Sequence, residues 1–192
     1  MAQQPSRSTM ILVVGSLAAG AWVISSMSAN SPSANPTQTT PTASVSASIS
    51  VSPIEPKIVT LEELKSLTSN LSYPVYWSGE MADTQIELTV LSNGSVYVRY
   101  LPLNETVGTE KPYFTVATYY DPVAYGRVQA LAQEEGAKAV QFEGGAIAVT
   151  KSETDQNSYF AFENVPLLIN VFSPDAAAGW DLIASGKITI LE

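Results

Sequence analysis

Charge is segregated along this chain more sharply than any other property. Residues 1–54 carry one charged side chain, Arg7, whereas 17 acidic and 8 basic residues fall between Lys57 and Glu192. A stretch with so few charges either sits in lipid or stays unfolded, and the local composition separates the two cases. From Met10 to Met27 the chain has 18 uncharged, mostly apolar residues. As a helix these reach about 27 Å, close to the roughly 30 Å hydrocarbon core of a bilayer. Residues 10–27 are therefore expected to form a transmembrane helix. A cleaved signal peptide is the alternative, with small residues around Ser26 and Ser28. The apolar run is longer than a usual signal core and favours an uncleaved anchor. Arg7 precedes the span and no Lys or Arg follows before Lys57. By the positive-inside rule, residues 1–9 stay cytoplasmic and the remainder is extracytoplasmic.

Residues 28–56 hold eight Ser, four Thr and five Pro among 29 positions, with no aromatic side chain. Such a segment has too little to bury to offset chain entropy, and it reads as a disordered linker. The exported domain is expected over residues 57–192.

Chemistry is narrowed by what that domain lacks. The chain has no His and no Cys, which excludes His-based triads, cysteine nucleophiles and thiolate zinc sites. A net charge of −9, with 9 Lys+Arg against 18 Asp+Glu, opposes binding to nucleic acid. The run Glu153–Asn157 begins like a calcium loop, but Ser158 stands where glycine is needed and Asn164 where a bidentate Glu is needed. The pairs Glu62-Glu63 and Glu134-Glu135 are helix neighbours about 100° apart and cannot face one another as an acid/base pair. The sequons at Asn70, Asn93 and Asn104 are chance matches in the absence of a known host. No catalytic residue, metal or cofactor is expected.

Within the domain, Thr60-Leu61-Glu62-Glu63 is a capping box opening a helix whose apolar stripe is Leu61, Leu64, Leu67 and Leu71. Val75-Tyr76-Trp77 reads as a short strand. Residues 85–101 alternate around Ser92-Asn93-Gly94, and the register can be derived. A two-residue Asn-Gly turn would set Arg99 opposite Leu88. A three-residue loop instead pairs Val90 with Val96, Leu88 with Val98 and Ile86 with Tyr100, and on the other face Glu87 with Arg99 and Thr89 with Tyr97. A type I turn with left-handed Gly94 is predicted. A strand over 113–120 runs into Asp121-Pro122, which should cap a second helix carrying Ala124, Val128, Leu131 and Ala132 inward and ending at Gly136. Strands at 139–142, 146–151, 158–163 and 167–172 follow. A third helix capped at Ser173-Pro174-Asp175 then shows Trp180, Ile183 and Ala184 inward, stops at Gly186 and leads to a strand over 187–190.

This order predicts an α+β domain: a mixed β-sheet with three helices, parallel pairs arising from two Pro-started crossovers, and a candidate internal duplication. Aromatic residues supply the candidate site. If one sheet face lacks a helix, Trp77, Tyr97, Arg99 and Tyr120 form an amphipathic patch suited to an envelope protein or glycan partner.

The run Tyr73-Pro74-Val75-Tyr76-Trp77-Ser78-Gly79, with Tyr97-Val98-Arg99-Tyr100-Leu101-Pro102, Val107-Gly108 and Val116-Ala117-Thr118-Tyr119, resembles uncharacterised actinobacterial single-pass membrane-anchored proteins over most of residues 60–191. Val171-Phe172-Ser173-Pro174 and Ser185-Gly186-Lys187 fit the same pattern, with Ser173 where an acidic cap is expected. The resemblance implies an exported, tethered domain and brings no active site with it. The expectation is a single-pass membrane protein presenting a non-enzymatic interaction domain. The alternative is a glycan-binding or carboxylate-dependent hydrolytic domain of the cell envelope.

Overall fold

The structure is a computed structural model and describes residues 51–192. The expected transmembrane helix at 10–27 and the expected linker up to residue 50 lie outside the described residues. Among the described residues no helix is long and apolar enough to cross a membrane.

The chain forms β1 (Ile54–Val59), α1 (Leu61–Thr68), β2 (Tyr76–Trp77), β3 (Thr84–Val90), β4 (Val96–Pro102), β5 (Thr115–Tyr120), α2 (Ala124–Leu131), β6 (Lys138–Gln141), β7 (Ala146–Thr150), β8 (Asn157–Phe162), β9 (Leu167–Phe172), α3 (Ala176–Ala184) and β10 (Thr189–Ile190). Eight strands make one sheet in the order β1-β3-β4-β5-β9-β8-β7-β6, and β10 pairs with β2 in a separate ribbon. The domain is α+β with three helices, as expected.

The sheet is antiparallel in every pair, not mixed. A strand–helix–strand unit gives a parallel pair only when the second strand lands beside the first. Here α2 carries the chain from β5 to the far edge, where β6 joins β7. The neighbour of β5 is instead β9, the strand richest in apolar residues. After α3 the chain leaves the large sheet and β10 joins β2. The strand order reads alike from both edges: an outer strand, a hairpin, then a return strand at the centre. The helices break this symmetry, because α2 packs on one face and α3 on the other.

Local chemistry explains the elements. Thr60 Oγ1 accepts from the Glu63 amide at 3.2 Å and Glu63 Oε2 accepts from the Thr60 amide at 2.9 Å, completing the capping box. The β3–β4 register agrees with the sequence derivation pair for pair, from Ile86 opposite Tyr100 to Val90 opposite Val96. Gly94 has φ 84° and donates its N–H to Leu91 O at 2.9 Å. Asp175 caps α3 by accepting from Ala178 N at 3.1 Å.

Four details differ from expectation. The second helix ends at Leu131, short of Gly136. Asp121 does not cap α2: its carboxylate accepts from Val123 N at 3.0 Å, closing a turn, and the helix begins one residue later at Ala124. Ala184 is exposed rather than inward-facing. Finally, Ile54–Pro56, read as the end of the linker, belong to β1. Prolines are tolerated there because β1 is an edge strand with a register shift between Ile54 and Lys57.

The main core lies on one face of the sheet. Leu88, Val96, Val98, Val116, Ile169 and Val171 pack there under Leu64 of α1, Tyr76 of β2 and Trp180 and Ile183 of α3. The β2–β10 ribbon is tied onto this face by Tyr76 N donating to Thr118 Oγ1 at 3.1 Å and Ser78 N donating to Tyr100 Oη at 2.9 Å. On the second face α2 covers only the β7–β8–β9 half, burying Ala124 and Val128 against Val149 and Ala161.

Close packing sets one sharp constraint. A Cβ at Gly179 of α3 would lie 2.7 Å from Ser173 Cβ. Gly179→Ala should therefore destabilise the domain by roughly 1–3 kcal/mol in urea unfolding, an overpacking cost. The added change Ser173→Gly should recover part of that loss by removing the opposing carbon.

Candidate functional site

The four aromatic and basic residues singled out from sequence do not form one patch. Trp77 lies in the ribbon, half-buried against the main core. Tyr120 is on the same face, its ring 6.3 Å from that of Tyr73. Tyr97 and Arg99 are on the second face. Tyr97 opposes Ala117, so strand alternation brings Tyr119 rather than Tyr120 beside it, with ring centroids 5.8 Å apart at 87°. Burial and the neighbouring Tyr97 push the Tyr119 phenol well above its ordinary pKa. The expected constellation is thus corrected to Tyr97, Tyr119 and Arg99. Trp77 is removed because its strand lies outside the large sheet, and Tyr120 because it is one residue out of phase.

Over Gln85, Glu87 and Arg99 the second face is crossed by the β4–β5 connection, residues 103–114, as a strap. Glu87 holds the strap down. It is 0% exposed, in the middle of β3, directly opposite Arg99. Its Oε1 accepts from Arg99 Nη1 at 2.5 Å and its Oε2 accepts from the Gly108 amide at 2.5 Å. Arg99, whose side chain is 19% exposed, turns its other terminal nitrogen to the strap backbone. Nη2 donates to Thr109 O and Lys111 O, both at 3.0 Å. Gln85 Nε2 donates to Glu105 O at 2.9 Å and Pro102 O at 3.2 Å. A charge removed from water is tolerable only when paired and fully hydrogen-bonded, and here each carboxylate oxygen has its own donor. Gly108, at φ 72°, adopts the left-handed backbone that aims its amide at Glu87.

A second ion pair closes the strap on itself. Glu105 Oε2 accepts from Lys111 Nζ at 2.7 Å and from the Tyr113 hydroxyl. Hydrogen bonds from Lys111, Tyr113 and the Thr106 amide lower the Glu105 carboxyl from its ordinary 4.5 to about 2. The bond to Glu105 raises the Tyr113 phenol.

Sequence reasoning paired Glu87 with Arg99 and did not identify Glu87 as a key residue. The available signal was a carboxylate inside a strand of apolar alternation, facing the strand's one arginine. What the arrangement does chemically is positional. Glu87 is fully buried and each of its oxygens is bound, one to Arg99 and one to the strap amide, so its effect is to fix a loop. That loop presents apolar side chains to solvent: Leu103 is 59% and Val107 41% exposed. Among the described residues no buried side-chain polar atom lacks a partner, and no cluster of three acidic side chains is placed to hold a metal ion.

Comparison with protein-family models, with curated proteins and with solved structures finds no match.

The depressed Glu105 carboxyl gives a testable pH dependence. Because its folded pKa lies below the unfolded value, its stabilisation is fully present above about pH 4.5 and is lost as pH falls toward 2. Carboxyl NMR titration should place its midpoint near 2, and Glu105→Gln should remove that part of the acid dependence of strap opening.

Proposed function

We propose that this chain is a single-pass membrane protein that presents residues 54–192 outside the cytoplasm, on the 28–53 linker, as a non-enzymatic interaction domain. The uncharged stretch at 10–27, with Arg7 before it and no cation until Lys57, supports the anchor and its direction. The observation that carries the interaction reading is the clamp. A fully buried carboxylate and its arginine are committed to fixing a loop that displays Leu103 and Val107. Leu103 and Val107 stand on backbone tied to the sheet, and order before binding lowers the entropic cost of association.

Reporter fusions after Glu192 test the placement. A reporter that works only after export should be active and one that works only in the cytosol should be silent, with the chain retained in the membrane fraction. Activity of the cytosolic reporter would contradict the proposal.

A further inference from the structure

We infer that Asn93 is a latent modification site: when the β3–β4 turn opens, its side chain closes an imide ring on the Gly94 amide and becomes aspartate or isoaspartate, and the Tyr73 hydroxyl is the latch that keeps the turn shut. Asn93 is the one asparagine of the chain followed by glycine. After every other asparagine a side chain or a proline ring crowds the next nitrogen, and at Gly94 nothing does. Asn93 is exposed, so water reaches its carboxamide.

The chemistry needs only water and hydroxide. The Gly94 nitrogen gives its proton to hydroxide and bonds to Asn93 Cγ; the Cγ–Nδ2 bond breaks, and ammonia leaves with a proton taken from water. Water then opens the ring. Attack at the Cγ carbonyl gives aspartate, and attack at the backbone carbonyl gives isoaspartate, whose main chain runs through Cγ.

The folded turn opposes ring closure at the nucleophile. The Gly94 N–H is committed to Leu91 O at 2.9 Å, and Gly94 is buried although Asn93 is not. Neither Ser92 nor Asn93 has a positive φ, so this hydrogen-bonded turn is of type I, with ψ of Asn93 near 0°. That angle sets the Gly94 nitrogen over the Asn93 nitrogen, roughly a third of a turn from the Cβ it must eclipse to close a five-membered ring. Closure therefore requires the peptide between residues 93 and 94 to rotate. Rotation breaks the bond to Leu91 and withdraws Gly94 O from the Tyr73 hydroxyl, which donates to it. Tyr73 lies between α1 and β2, is 8% exposed and has its ring 6.3 Å from that of Tyr120, so the latch reaches the hairpin from a separate, packed segment. The electrophile, by contrast, is ready: Asn93 Oδ1 accepts from Ser95 N at 3.0 Å, which draws electron density from Cγ. Isoaspartate would lengthen the loop that sets Val90 opposite Val96 and Glu87 opposite Arg99, so the product marks a hairpin that has once opened.

Incubation of the purified full chain at mildly alkaline pH tests this, with loss of Asn93 followed by mass spectrometry of its proteolytic peptide. Unfolded in guanidinium chloride, the chain should lose Asn93 ahead of every other asparagine. In the folded chain that loss should be at least about tenfold slower, a factor within the reach of two hydrogen bonds that must open first. Tyr73→Phe, which removes the hydroxyl and keeps the ring, should speed loss in the folded chain about fivefold, the factor of one hydrogen bond, and leave the rate in guanidinium unchanged. Loss as fast in the folded chain as in the unfolded one would overturn the inference, as would earlier loss of another asparagine on unfolding. A folded Tyr73→Phe chain that loses Asn93 at the native rate would overturn the latch. If that variant does not fold, the native chain in guanidinium below its unfolding transition decides: Gly94 amide exchange and Asn93 loss should rise in parallel, and a rise in exchange alone contradicts the inference.

Discussion

A carboxylate without solvent exposure has to be matched, and in this domain the matching of Glu87 organises one whole face of the sheet. The charge sits where the β3–β4 register puts it, opposite Arg99, and the pair leaves one carboxylate oxygen and one guanidinium nitrogen to be satisfied from elsewhere. The strap supplies both, through the Gly108 amide and the Thr109 and Lys111 carbonyls. Burying the pair and ordering the loop are thus one event. Without the strap the carboxylate would be solvated. Without the carboxylate, the strap has few apolar contacts to hold it, since Leu103 and Val107 face outward.

The two faces of the sheet are stabilised by different physics. The first is an ordinary apolar core under α1, the ribbon and α3, where burial of Leu, Val and Ile side chains dominates. The second has a small apolar contact under α2 on one half and a polar clamp on the other. Polar clamps hold geometry more than they add net stability, because the desolvation cost offsets much of the Coulomb gain. That division suits a domain in which one face maintains the fold while the other displays a surface.

Features set by neighbouring residues were legible in the sequence. The capping box at Thr60, the left-handed Gly94 and every pair of the β3–β4 hairpin follow from local chemistry and strand alternation. Features set by distant segments were not. The β4–β5 connection is too long to fix its own register, so nothing local revealed that Tyr119 rather than Tyr120 joins Tyr97. Nor could alternation say that Glu87 would be covered, because its cover arrives from residues 103–114. The antiparallel sheet has the same origin: β6 takes the far edge because β9 takes the place beside β5, a competition between segments well apart in the chain. The strand at Ile54–Val59 was hidden by Pro53 and Pro56, which resemble linker until the edge position is known.

Hydrogen exchange at the Gly108 amide in the full chain, compared between the native protein and Glu87→Gln, tests the central claim most directly. If the buried carboxylate anchors the strap, the native amide is strongly protected. The substitution should then sharply accelerate exchange at Gly108 while the amides of β9 and β5 keep their protection. Equal exchange at Gly108 in the two proteins would show that the strap is held by something other than Glu87.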